Sequence, residues 1–408
     1  MAFPLSRARE LPPWRRPTAL LFVMAAAMPL GFATWTALLN NFVVEVASFD
    51  GADIGALHMV REVPGFLAVG VIAVLLLMHE QVLALASLVL LGIATALTAQ
   101  FPTMGGILAI TLLSSIGFHY YETVNQSLQL QWLPRERAPQ ILGLIVAAGS
   151  GATLVAYLAL VATWYRLGLS FETVYWVSGG ATAALALGAW LVFPRFEAPN
   201  PQVKRLVLRR RYWLYYALQF LAGARRQIFV VFAGFMMVER FGLEVHEVAS
   251  LFVITLLASM VGAPLVGRAV GRFGEQAVLV FEYAGLVAVF ALYAGIYAFD
   301  WGVWVAATLY VADHILFAMA LALKTYFQKI GDPGDMASTA AVAFTINHIA
   351  AVALPVPLGL LWLVSPGAVF LVAAGIASGS LALALLIPRH PAEGRETRLA
   401  GGLAAPAE

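Results

Sequence analysis

Arg61, Glu122, Arg225, Arg226, Asp313 and His348 each interrupt a long apolar stretch of the chain. At bilayer depth an ionisable side chain costs at least ~2.5–3.5 kcal/mol on insertion scales, so such groups face a partner or a water-filled path. Two kinds of chemistry fit these residue types. An arginine fork keeps its charge at any relevant pH and suits a carboxylate or phosphate on a solute. A carboxylate near a histidine and an arginine can change protonation as its surroundings open and close, which couples a proton gradient to cargo movement. Static ion pairs and interhelical hydrogen bonds are the competing uses of the same groups.

The elements that must carry these residues follow from composition. The 408 residues are 62% hydrophobic and 11% charged, whereas a soluble globule carries about 25% charged residues. A membrane-crossing helix needs about 20 apolar residues. Twelve such spans are expected, over 18–46, 54–78, 81–100, 104–130, 139–163, 171–193, 212–238, 245–267, 276–298, 301–327, 336–363 and 365–387. The runs are too long and too uniformly apolar for a transmembrane barrel. The first run is also too long for a cleavable signal and is expected to stay in the mature chain. Of the 24 Lys and Arg, 19 fall in connections on one side, Arg166 and Arg240 fall on the other, and Arg61, Arg225 and Arg226 lie within spans. That bias predicts both termini on the cytoplasmic side of the inner membrane.

Several functions are disfavoured. With no cysteine there is no thiolate site or disulfide framework. No Walker-type segment, His-Glu-x-x-His helix, Ser/His/Asp order or paired catalytic aspartates occurs, so neither an enzyme nor a cofactor or metal site is expected. No basic patch interleaved with aromatics points to nucleic acid, and the net charge of +2 comes from the connections.

The one long polar interruption, Pro194 to Arg211, holds three prolines and six basic residues and divides the spans six and six. An N-terminal arm over 1–17, bundles over 18–193 and 212–387, a linker over 194–211 and a tail over 388–408 are the resulting divisions. Two equal halves around a basic linker are the layout of a transporter with parallel repeats and a midplane site. The connection after the eighth span reads Gly267-Arg268-Ala269-Val270-Gly271-Arg272-Phe273-Gly274-Glu275. It resembles the G-x-x-x-D-R-x-G-R signature of the major facilitator superfamily, with Gly271 at the acidic position and Glu275 at a late basic one. The matching connection after the second span, Met78-His79-Glu80-Gln81, lacks the signature, and the fifth span has small residues Gly143, Ala147 and Gly151 without the antiporter Gly-Pro pair. The phrases Arg61-Glu62-Val63-Pro64-Gly65 and Thr345-Ile346-Asn347-His348 are similar to stretches of bacterial members. The resemblance covers the chain and implies an all-α polytopic fold of twelve helices in two six-helix bundles. It also implies that spans 1, 4, 7 and 10 line a cavity, that 2, 5, 8 and 11 flank it, and that 3, 6, 9 and 12 face lipid.

The polar residues agree with that layout. In the fourth span His119, Glu122, Gln126 and Gln129 recur at helical spacing and share one face. Arg225 and Arg226 lie about 18 Å into the seventh span and point ~100° apart, so one can meet an anionic solute while the other pairs internally. Arg225, Arg226, Glu122, Gln126, His119, Asn347 and Asn41 are the substrate-binding candidates. Asp313, with His314, His348 and Glu122, is the proton-coupling candidate. Arg61 and Glu62 near the outer end, and Gly267, Arg268 and Arg272 near the inner one, are gating candidates. The function expected is a monomeric secondary transporter of a small, anionic or amphiphilic solute, coupled to protons. The alternative is a scaffold, receptor or assembly factor that keeps the bundle without transporting.

Overall fold

In lipid a backbone has no water to bond and closes its hydrogen bonds within helices, and the apolar runs of this chain do so. The computed structural model describes residues 2–67, 71, 74–75, 77–133, 138–197, 208–332 and 336–399. The first half contains α1 (Pro17–Glu45), α2 (Gly51–Phe66), α3 (Glu80–Leu97), α4 (Met104–Trp132), α5 (Ala138–Leu167) and α6 (Phe171–Val192). In the second half α7 (Trp213–Ile228) runs through a π-helical turn (Phe229–Ala233) into α8 (Gly234–Glu239). There follow α9 (Val245–Phe299), α10 (Val303–Phe317), α11 (Leu321–Ile330), α12 (Met336–Ala353), α13 (Pro355–Val364) and α14 (Pro366–Ala384).

Among the described residues eleven helical stretches are long and apolar enough to cross a membrane. The remaining expected span, 54–78, begins as α2 and runs on into residues outside those described. α9 carries the eighth and ninth spans, which meet at Gly274 with φ 82° and ψ 163°. Positive φ is open to glycine at no side-chain cost, so Gly274 makes this turn inside the signature-like segment. The tenth span is α10 and α11 joined by a 3-10 turn at Ala318–Ala320. The eleventh breaks before Pro355, which lacks an N–H and opens α13.

Two compact units arise. One comprises residues 1–49, 60–203 and 243–253, the other 50–59, 204–242 and 254–408. In the first unit α3 packs on α4 and α6. A Cβ on Gly92 would come within 2.6 Å of the Gly179 carbonyl, so the absence of side chains lets α3 and α6 touch through their backbones. Leu20, Met24, Leu88, Leu91, Tyr121 and Val124 fill the core beside them. The N-terminal arm joins this unit: β1 (Ala2–Pro4) pairs in parallel with β2 (Arg195–Glu197). In the second unit α7 packs on α12 and α14, and Gly223 lies directly against the Asn347 backbone carbonyl.

Candidate functional site

The last turn of α7 places Arg225 inside the second unit, 4% exposed. Its Nη2 lies 3.7 Å from Oε1 of Glu282, a residue of α9 with no exposed surface. Its Cζ stands 4.5 Å from the centre of the Tyr283 ring. Asp313 on α10, 2% exposed, lies within electrostatic range of both Arg225 and Glu282. The π-helical turn follows at once, and the Phe229 N–H is shared between the carbonyls of Arg225 and Arg226. Such turns are rare and recur at functional sites.

The polar atoms of this cluster are incompletely satisfied. Both carboxylate oxygens of Glu282, Oδ1 of Asp313, Nε of Arg225 and the Tyr293 hydroxyl find no hydrogen-bond partner among the described residues. A buried polar atom without a partner is costly, and it is most costly in an apolar surround. One permanent cation beside two carboxylates is able to take up or release a single proton. Neutral with one acid protonated, the set bears one negative charge with both ionised.

This arrangement adds a partner for Arg225 on the ninth span, whose other side keeps exposed apolar residues such as Phe281 and Leu292. The sequence reading lets one of Arg225 and Arg226 pair internally without naming the partner, and Glu282 is not among its site candidates. Glu282 is turned into the unit and makes the ion pair. A lone carboxylate in an apolar run is the signal that marks it. Its position only about two turns from the span end mutes that signal, yet helical phase decides facing more than depth does.

Arg226 donates from Nη2 to Oδ1 of Asn347 at 3.3 Å, and Asn347 Nδ2 donates to the Gln219 carbonyl at 3.1 Å. Asn347 thus ties α12 to α7. His348 is 4% exposed, with Nδ1 2.9 Å from the Phe344 carbonyl and its ring 4.1 Å from the Phe344 ring. His314 follows Asp313 on α10, half-buried, its ring centre 6.2 Å from that of Phe229.

In the first unit the α4 stripe is graded in exposure. His119 is buried and sits edge-on to Phe118 at 5.1 Å, Glu122 is half-buried and Gln126 is exposed. Arg61 donates from Nε and Nη2 to Oε1 of its neighbour Glu62 at 3.1 and 2.7 Å, and Ser115 donates to the Arg61 carbonyl. Asn41 has no exposed surface and donates Nδ2 to the Leu243 carbonyl at 2.6 Å and to Glu45 at 3.1 Å. Those bonds give it a structural tether. Gly267 and Arg272 line a polar pocket at one end of the second unit, and Arg268 is exposed one turn earlier. Glu275 is 1% exposed and is paired with Lys329 of α11 at 2.7 Å.

Membrane-length helices in two compact units, with charges buried among them, define a polytopic membrane protein of the transporter type. Residues 18–355 match the family model of the Major Facilitator Superfamily, and the chain belongs to that family. Its fold is similar to that of a point mutant of the nucleoside transporter NupG, with a TM-score of 0.75 at 14% identity over 91% of this chain and 99% of that one. It is also similar to a bacterial homolog of the human lysosomal transporter Spinster in an inward-facing, occupied conformation. There the TM-score is 0.69 at 13% identity, over 96% of this chain and 98% of that one. At such identities the likeness speaks of fold alone. A comparison of the sequence with curated proteins found no match.

Proposed function

We propose that this chain is a proton-coupled secondary transporter that moves a small, anionic or amphiphilic solute across the inner membrane by alternating access. In this reading the bundles 18–193 and 212–387 are joined by a cytoplasmic linker at 194–211, and both termini are cytoplasmic. The observation that carries the proposal is the burial of Arg225 beside Glu282 and Asp313. A fixed cation paired with one acid and in the field of a second is an expensive thing to keep in a membrane domain for stability alone, because replacing buried charges with apolar groups is often neutral or stabilising. A site that loads and unloads one proton uses that composition. Arg226 and Asn347 in the second unit offer the charged and hydrogen-bonding groups that a small polar solute needs. Glu122, Gln126 and His119 of α4 offer the same kinds of group in the first.

A solute screen by thermal shift on the purified protein, followed by uptake into proteoliposomes with and without an imposed pH gradient, tests the proposal. A ligand selective for the folded state raises its stability by mass action. The expected result is a solute that stabilises the protein and accumulates only with the gradient. Uptake indifferent to the gradient would remove proton coupling. Failure of every solute class to bind would favour the non-transporting scaffold.

A further inference from the structure

We propose that the second unit holds one anionic phospholipid at the end that carries Arg272 and Lys329, with the lipid phosphate among the basic residues and an acyl chain in the adjoining groove. The proposal is independent of the cargo and of the coupling ion. It rests on a polar pocket and an apolar groove that meet at a single side chain.

The pocket has a volume of about 540 Å³ and is lined by Arg272, Glu275, Thr325, Lys329, Arg389 and His390, among others. Three of these are cations at neutral pH, and Glu275 offsets one through its 2.7 Å ion pair with Lys329. Two positive charges remain in excess, with His390 beside them. A Cβ on Gly267 or Gly271 would meet nothing within 4 Å, so the pocket is open along that wall. Gly274 turns the chain here with positive φ and brings Arg389 of the tail segment to the same pocket.

The groove, about 350 Å³, is lined only by apolar residues, including Val266, Ala269, Phe273, Ala277, Phe281 and Met319. Phe273 lines the pocket as well and is 62% exposed, with the Arg272 guanidinium carbon 5.3 Å from its ring centre. Phe281 is 63% exposed in the same groove. Basic pockets between helices at the membrane surface recognise anionic headgroups. A free phosphate would satisfy the pocket and leave the groove empty, whereas a diacyl phosphate matches both. The charge excess and the apolar continuation therefore select an anionic lipid over a soluble anion or a zwitterionic lipid. In this reading Gly267 and Arg272, which the signature-like segment would assign to a gate, belong to a lipid site.

The experiment uses the full chain, delipidated in detergent, with dioleoylphosphatidylglycerol as probe. Dioleoylphosphatidylcholine, glycerol phosphate and inorganic phosphate are the comparison ligands. Native mass spectrometry reads retained lipid, and the unfolding midpoint reads stabilisation. Phosphatidylglycerol is expected to be retained and to raise the midpoint, while the other three do neither. Arg272→Gln with Arg389→Gln, both exposed and so expected to leave the fold intact, should weaken retention about tenfold. Ala277→Trp, which fills the groove, should also reduce it with the pocket charges untouched. Equal effects of phosphatidylcholine, or full retention by the double variant, would overturn charge recognition. An equal effect of inorganic phosphate, or indifference to Ala277→Trp, would overturn the lipid as occupant. Should the double variant fail to fold, Ala277→Trp and the comparison ligands decide.

Discussion

Arg225 and Glu282 stand 3.7 Å apart, one on the last turn of α7 and the other near the start of the ninth span, with 4% and 0% of their side chains exposed. The separation allows an ion pair and is too long for a strong hydrogen bond. The pair holds a permanent charge inside the second unit, and Asp313 lies in its field.

Removing only the cation leaves a buried carboxylate uncompensated. Arg225→Gln is therefore expected to lower stability by about 3–5 kcal/mol, and Arg225→Gln with Glu282→Gln should recover most of the loss. Thermal unfolding of the three proteins in one detergent makes the comparison. If the single variant matches the parent, the pair contributes no net stability.

Asp313→Asn mimics the protonated acid at constant size. In a proton-coupled carrier it should retain solute exchange and lose accumulation driven by a pH gradient. Glu282→Gln is the parallel experiment. Whichever substitution uncouples accumulation from the gradient names the proton-carrying acid, and gradient-driven uptake unchanged in both would turn attention to Glu122 or Glu62.

Gly223 leaves no room for a side chain, because its Cα faces the Asn347 carbonyl directly. Gly223→Ala should force α7 from α12 at a cost of about 1–3 kcal/mol, and the strain should reach the 3.3 Å bond from Arg226 to Asn347. A lower unfolding midpoint together with weaker solute binding is the expected pair of readouts. A wild-type midpoint would show that the helices part without penalty.

The tail beyond α14 is tied to the second unit. Arg211 pairs with Asp332 at 2.6 Å and with Glu393 at 3.6 Å, and the Tyr326 hydroxyl donates to the Glu396 carbonyl. Arg398 donates to Gln276 at 2.8 Å. The Arg211 pairs are half exposed and worth about 0–1 kcal/mol each, so Arg211→Gln alone should change the midpoint little. Truncation after residue 388, which also exposes Tyr326 and Ile387, should lower it by several degrees. Equal midpoints for the truncated and full chains would show that the tail packs without stabilising.

The orientation proposed for the chain is open to reporter fusions. A reporter active only in the periplasm should give signal at residue 50, 242 or 300 and none at residue 200. The reverse pattern would invert the topology.

Membrane class, span number and the six-plus-six division could be read directly from the chain, because hydrophobic length and charge placement are local properties that lipid reads residue by residue. The burial of Arg225 and Asp313 was legible for the same reason: a charge within an apolar run must turn away from lipid. Which charges meet was a different matter. Glu282 pairs with Arg225 across 57 positions of sequence, and Glu275 with Lys329 across 54. Those pairings depend on the rotational phase of packed helices, which a few degrees of twist or one glycine turn at Gly274 can reset. Asn41 and Asn347 were legible as polar groups within spans, but their hydrogen bonds to the Leu243 and Gln219 carbonyls were not. Composition decides where a polar group can sit along the membrane normal; only tertiary packing decides which neighbour it finds there, since that neighbour comes from a distant helix whose facing no local signal encodes.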